Sequence, residues 1–367
     1  MRNLIIVLFF CLVSNSYSQS LILQSESTKL IIDLYGGKIR EFSLKSIAVN
    51  PLSSTFGHFI CFERWGPSST ADQAKGIPMH GEAQVTMWKT IQAPVEKTNH
   101  IYAEMSVKLP IVNLSMDRKI WLDKNVAVVN VFEEISNQNS TTKIFNVVQH
   151  ATIGPPFLDS TTVVDTKVIK GFSQNGIYPP TDKETIGWPN AEIKGFQNDL
   201  RYLTGVGQEQ LVLSFILDHN QEYGWVSAIN ASKGLLIGYL WPIKEYPWLN
   251  FWLAQQGHVI GSRGLEFGTT GLHQPFDVIT AIDSIFNQQL YEYVLPNETI
   301  AKSYIAFLSA IPKDYKGVKD ITYIKNAIKI IEYNGDPKRD IIINTSDIST
   351  DVNDICPSSK PHLDIKK

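Results

Sequence analysis

Cysteine is nearly absent, with three in 367 residues at positions 11, 61 and 356. A small disulfide-stapled scaffold is excluded, and a chain of this length has to be held together by burial. Cys61 and Cys356 could form one bridge, but spacing alone does not pair them. Charge of one sign is also scarce: 33 Lys and Arg against 36 Asp and Glu leave a formal net charge of −3. That balance argues against a nucleic-acid partner, whose phosphates demand a basic face. No stretch after the first residues reaches the ~18 consecutive apolar residues of a spanning helix, so no membrane span is expected. Local signatures of metal, nucleophile and nucleotide chemistry are missing too. There is no His-x-x-x-His pair, no Gly-x-Ser-x-Gly elbow, no Gly-x-x-x-x-Gly-Lys loop and no dinucleotide fingerprint. Neither a metal nor a cofactor is expected.

The first residues carry a targeting pattern. Met1-Arg2-Asn3 gives a positive start, residues 4–13 are apolar, and Ser14-Asn15-Ser16-Tyr17-Ser18 is polar with small residues at Ser16 and Ser18. This reads as a secretory signal over residues 1–18, cleaved after Ser18, and predicts a secreted or periplasmic protein. Cys11 suggests a lipidated alternative, but the bulky Phe10 before it disfavours that reading.

Helical periodicity is rare and strand patterns dominate. Residues 28–34 lead into Tyr35-Gly36-Gly37 and then into an alternating segment over 38–44, a hairpin whose glycines can supply a positive φ. Further strands are expected over residues 83–90, 100–109, 115–122, 127–135, 141–153, 210–217, 224–229, 234–240, 249–254 and 304–310. One convincing helix is expected over 318–333, where Ile321, Ile324, Ile328 and Ile331 recur at three and four residues. Residues 170–207 read as a long irregular rim or insertion. The sequence thus predicts an all-β protein with a short C-terminal helix. A single domain spans residues 19–343, followed by a polar tail over 344–367.

Three residues in unusual settings are the candidate chemistry. His80 stands in Pro78-Met79-His80-Gly81-Glu82, His150 ends an apolar strand before Gly154-Pro155-Pro156, and Glu266 lies in Gly264-Leu265-Glu266-Phe267-Gly268. A carboxylate among apolar neighbours and glycines has its pKa raised if buried, unless a cation or hydroxyl donors hold it ionised. A structural ion pair of Glu266 with Arg263 or Arg64 is the plain alternative. Arg64 and Trp65, in a Ser-, Ala- and Gly-rich loop, are candidates for binding. Eight tryptophans add possible stacking platforms for sugar rings, among them Trp65, Trp188, Trp225, Trp241, Trp248 and Trp252, although core packing accounts for most.

The order of these segments resembles the aldose 1-epimerase, or galactose mutarotase-like, superfamily: an Arg shortly before a His-Gly, a second His after a strand, and a late Glu in Gly-Leu-Glu-Phe-Gly-Thr. The resemblance spans about residues 28–310. It implies a β-supersandwich of two large antiparallel sheets with a sugar in a cleft on the concave face. It further implies Glu266 as base, His150 as acid, His80 as assistant, and Arg64, Trp65 and Trp248 as substrate contacts. The substrate-binding Asp of that superfamily has no aligned counterpart. The implied activity is interconversion of sugar anomers by ring opening. The implied partner is a small-molecule sugar, and oligomeric state is left open. A non-catalytic carbohydrate-binding protein and a glycan lyase or hydrolase relative on the same fold are the competing readings.

Overall fold

The computed structural model describes residues 19–193, 195–202, 210–256 and 259–348. The signal-sequence reading (1–18), Cys11, Cys356 and the tail beyond 348 lie outside the described residues. All the strand pairs are antiparallel. One sheet runs Ser20–Gln24, Thr28–Asp33, Lys38–Leu44, His58–Glu63, Lys143–Ile153, Val259–Gly268, Trp248–Gln256, Gln210–Ile216 and Lys170–Ser173, with Glu292–Val294 paired to the start of Lys143–Ile153. The other runs Val163–Thr166, Tyr223–Asn230, Leu235–Pro242, Thr299–Ala310, Val128–Asn137, Leu114–Asp123, His100–Lys108 and Lys89–Glu96. Eleven of the strands expected from the pattern are present within a few residues, including the two of the hairpin around Tyr35-Gly36-Gly37. The segment expected over 83–90 instead begins as a 3₁₀ turn, Ala83–Val85, and its strand starts at Lys89.

The core lies between the two sheets and follows the two-residue period of a strand. On Lys143–Ile153, Val147, Ala151 and Ile153 enter the main hydrophobic cluster, as do Leu265 and Phe267, Phe251 and Leu253, and Ile60 and Phe62 on the neighbouring strands. Met105, Ile120, Val131 and Ile237 of the other sheet complete it. Each such side chain contributes about 1.5–3 kcal/mol when fully buried. The alternate residues therefore project from the opposite face of the first sheet. That set holds Phe59, His150, Trp252 and Glu266. Shifting one strand by a residue would exchange these for core residues, so core burial fixes the register of the site.

The helix expected over 318–333 is a hairpin. Val318–Ile324 and Ala327–Glu332 pair around Lys325-Asn326, both at positive φ, and Ile341–Asn344 adds a third strand. Two central residues at positive φ make the tight turn whose twist matches a hairpin, and β-branched isoleucines favour strand over helix. The buried residues are Ile321, Ile328, Ile330 and Ile343, whereas Ile324 is 64% exposed. This small sheet packs against Trp225, Leu236, Leu240 and Phe307 on the outer side of the second large sheet. Residues 170–202 are less irregular than expected, since they contain Lys170–Ser173 and the pair Asn190–Ile193 with Phe196–Asp199.

Candidate active site

Register brings the chemistry together. Phe59, His150, Glu266 and Asn250 are successive partners across four adjacent strands. His150 Nε2 lies 3.0 Å from Glu266 Oε1, and both side chains are buried. Phe59 stacks on the His150 ring with centroids 4.2 Å apart and planes at 20°. His150 Nδ1 is 2.9 Å from the Thr152 hydroxyl, two residues along the same strand and on the same face. Trp65 Nε1–H donates to Glu266 Oε2 at 2.8 Å. Gly264 makes room for the carboxylate: a Cβ there would lie 2.3 Å from Glu266 Oε1.

His80 completes the set from a loop. Its backbone is at φ 64°, its N–H donates to Gly66 O, and the Gly66 N–H donates back to His80 Nδ1 at 3.2 Å. That bond makes Nδ1 the acceptor, so the neutral ring carries its proton on Nε2. Gly81 permits this loop to press on the sheet, because a Cβ there would come 2.1 Å from Phe62 O. The His80 ring centroid is 5.7 Å from that of His150 and 5.4 Å from that of His273.

These groups line a cavity of about 490 Å³, together with Tyr35, Lys38, Trp252 and His273. Burial dominates its electrostatics. It raises the Glu266 pKa to about 8, opposed by the Trp65 hydrogen bond. Burial lowers His150 well below its ordinary value, with His80 adding to the effect. His80 falls to about 3 through burial and the neighbouring His273, and His273 itself falls to about 4 through burial. Desolvation thus favours a neutral pair, with the one proton on Glu266. Oε2 accepts from Trp65, and Oε1 lies 3.0 Å from His150 Nε2 with no hydrogen bond aligned on it among the described residues. The arrangement can therefore take up a proton on one member while releasing one from the other.

Two expected substrate contacts are placed elsewhere. The Arg64 guanidinium is buried and committed: Nε donates to Glu63 Oε1 at 2.6 Å, Nη1 to Asp72 Oδ2 at 2.9 Å, and Nη2 to Glu63 Oε2 at 3.3 Å. It does not line the cavity, and Glu63 and Asp72 use its donors to brace the loop that carries Trp65. Trp248 is fully buried against Phe172, Leu272 and Ile279, with its indole N–H donating to Gln289 O. It cannot serve as a platform from there. Of the other tryptophans considered, Trp241 stacks on Phe267 in the core, Trp225 packs under the C-terminal hairpin, and Trp188 stacks on Phe251. Trp65 and Trp252 line the cavity. The plain ion-pair alternative for Glu266 also fails, since Arg263 points away and donates to the carbonyls of Leu200 and Arg201.

The pattern reading gave no role to Phe59, Thr152, Gly264 or His273. Thr152 and Gly264 carried a usable signal, because each sits two residues from His150 or Glu266 on a strand. His273 follows the Glu266 segment through a Gly-Leu-His-Gln-Pro loop. Phe59 gave no local signal; only strand register pairs it with His150.

No protein-family profile and no curated protein matches the sequence. Solved structures do resemble it. A galactose mutarotase-like protein from Clostridium acetobutylicum aligns with a TM-score of 0.55 at 13% identity, over 79% of this chain and 95% of that one. A galactose mutarotase related enzyme from Lactobacillus acidophilus aligns with a TM-score of 0.56 at 10% identity, over 80% and 98%. A TPR-domain containing protein from Parabacteroides distasonis aligns with a TM-score of 0.54 at 9% identity, over 92% of this chain and 55% of that one. At these identities the likeness concerns the fold alone, and that fold is galactose mutarotase-like.

Proposed function

We propose that the protein is a mutarotase-type isomerase, an aldose 1-epimerase, that interconverts the anomers of a free sugar. The observation that carries this reading is the 3.0 Å approach of His150 Nε2 to Glu266 Oε1 beside the cavity. The hydroxyl oxygen and ring oxygen of a cyclic hemiacetal share one carbon. Two proton-transfer groups within hydrogen-bond distance of each other can therefore address both oxygens at once. One group takes the anomeric hydroxyl proton, whose O–H electrons become the second bond of the aldehyde. The bond from C1 to the ring oxygen breaks, and that oxygen takes the proton of the other group. Rotation at C1 and the reverse transfers give the other anomer with the pair restored.

The resemblance assigns Glu266 as base and His150 as acid. Burial favours the complementary resting form, with protonated Glu266 facing the ring oxygen and neutral His150 receiving the anomeric proton. Opening and closing exchange the two roles, so the pair acts as one unit holding one proton. His80, with its proton on Nε2, is suited to donate to a sugar oxygen. Trp65 positions Glu266, and Trp252 offers a ring face to the sugar. Two placed proton-transfer groups at roughly 10²–10⁴-fold each are adequate for so modest a reaction.

The test is NMR or polarimetry of anomer exchange over a panel of freshly dissolved aldoses. His150→Ala is expected to remove the acceleration while keeping the β-sheet circular dichroism, and a near-wild-type rate would sink the assignment. Sugar affinity without any acceleration would favour the binding-protein reading, and cleavage of a glycan chain the lyase or hydrolase reading. Export through residues 1–18 belongs to the same proposal, because a protein outside the cytoplasm meets free sugars released from glycans. A mature N-terminus at Gln19 in expressed material supports it; an unprocessed chain overturns it.

A further inference from the structure

Lys38 lines the cavity and has no part in the proton transfers. It opens the strand Lys38–Leu44, directly after the Tyr35–Gly37 turn at the cavity mouth. Its stem lies along Gly57, where a Cβ would come 3.1 Å from Lys38 Cγ. Its ammonium donates at 3.5 Å to the Thr55 carbonyl, a contact at the outer limit of a hydrogen bond. The cross-strand partner of Lys38 is Asp33, but that carboxylate is engaged by the Arg40 guanidinium and the Ser20 hydroxyl. Among the described residues Lys38 makes no ion pair.

Among the described residues the rest of the wall offers it no counter-charge. Among the described residues Glu266 is the single carboxylate lining the cavity, and it is occupied with His150 and Trp65. No arginine among the described residues lines it. The three lining histidines are neutral near pH 7, since burial holds each of them well below its ordinary value. One ammonium with no carboxylate partner among the described residues, beside a neutral and largely aromatic wall, calls for one anionic group on the ligand. A phosphate dianion would draw more than one cation, whereas a carboxylate balances a single lysine.

Resting on the mutarotase reading, we propose that the site takes a uronic acid, a sugar carrying one carboxylate, with that carboxylate on Lys38 and its anomeric carbon at the His150–Glu266 pair. Binding decides this without reference to turnover. The intact protein is titrated at pH 7 with glucuronate, galacturonate, glucose, galactose and glucose 6-phosphate, followed by calorimetry or by the fluorescence of Trp65 and Trp252. At least one uronate is expected to bind 10-fold or more tightly than its neutral parent, with the difference shrinking as salt is added. Lys38→Met should remove the preference and leave neutral-sugar affinity within about twofold, and Lys38→Arg should retain it. Equal or weaker uronate binding, no uronate binding at millimolar concentration, tighter binding of the phosphate, or a preference that survives Lys38→Met would overturn the proposal. Failure of anomer exchange on every sugar, with uronate preference intact, would overturn the isomerase reading instead.

Discussion

Replacing Glu266 by glutamine separates a functional carboxylate from a structural one. In the folded protein Glu266 titrates at about 8, against an ordinary value of 4.5, because burial disfavours its ionised form. Between those values the folded chain keeps a proton that the unfolded chain has lost. Stability contributed by this group therefore falls as pH rises through 4.5 to 8 and stays low above it. At about 1.4 kcal/mol per pH unit the full penalty approaches about 5 kcal/mol above pH 8 and about 3 kcal/mol at pH 7, both as ceilings. Glutamine cannot ionise, has nearly the same shape, and keeps an oxygen to accept from Trp65 Nε1–H and an amide to face His150 Nε2. Glu266→Gln should match the wild type in urea unfolding at pH 4.5 and exceed it by at least about 2 kcal/mol at pH 9. The other buried histidines titrate alike in both proteins and cancel in the difference. The same variant should lose anomer exchange. A glutamine variant that is less stable than the wild type by the same amount at every pH would refute the reasoning, since it would mean that Glu266 is ionised and held by a partner.

Three further outcomes follow from the same geometry. The isomerase rate should be flat through neutrality and fall about tenfold per pH unit above about 8, where Glu266 loses the one proton the pair needs; a rate that rises from pH 8 to 9 would contradict this. Gly264→Ala puts a Cβ where the Glu266 carboxylate now sits, so kcat/KM should drop roughly 10²-fold, as for a catalytic group displaced by about 1 Å. Circular dichroism and the unfolding midpoint show whether the sheet survives that change. Thr152→Val removes the hydroxyl on His150 Nδ1 while keeping a strand-compatible shape, and kcat should fall roughly tenfold, the equivalent of one net hydrogen bond of about 1.4 kcal/mol. An unchanged pH–rate profile in Thr152→Val would show that Nδ1 does not set the tautomer.

The strands were legible because runs rich in β-branched and aromatic residues, bounded by turn residues, read as strands, and Lys143–Ile153, buried from Phe145 onward, is such a run. His150 and Glu266 stood out because polar groups at positions flanked by core residues carry a desolvation cost that ordinary packing does not explain. The 318–333 segment misled because four isoleucines fall at spacings that fit a helical face, while the turn at Lys325-Asn326 lacks glycine. Strand pairing with residues 341–344 decided it, and no local pattern reports a pairing partner. Arg64 misled in a different way. A guanidinium near a candidate histidine reads as a ligand contact until its two carboxylates are seen, and one of them, Asp72, lies in a helical turn eight residues on. Trp248 and Trp252 sit four residues apart on one strand with similar neighbours, yet one is covered by the Phe276–Ile282 helix region and the other faces the cavity. Burial of that kind is a property of what packs on top, which the strand itself does not encode.

The neutrality of the resting site has a consequence for how a sugar starts the reaction. An ion pair formed in advance between Glu266 and His150 would hold both reactive atoms on each other and would have to be broken for substrate to enter. A neutral pair in contact at 3.0 Å, with no hydrogen bond aligned between its members, has much less to lose. A hemiacetal seated against Oε1 and Nε2 makes two hydrogen bonds there, one from the anomeric hydroxyl to Nε2 and one from Oε1 to the ring oxygen. The apolar neighbours Phe59, Val148 and Cys61 sharpen the effect, because a low dielectric raises the cost of any charge left uncompensated during the transfers. Proton uptake and release must then run closely coupled across the sugar. The fold supplies the condition for this by setting His150 and Glu266 as direct partners in the sheet register, where neither can retreat from the other.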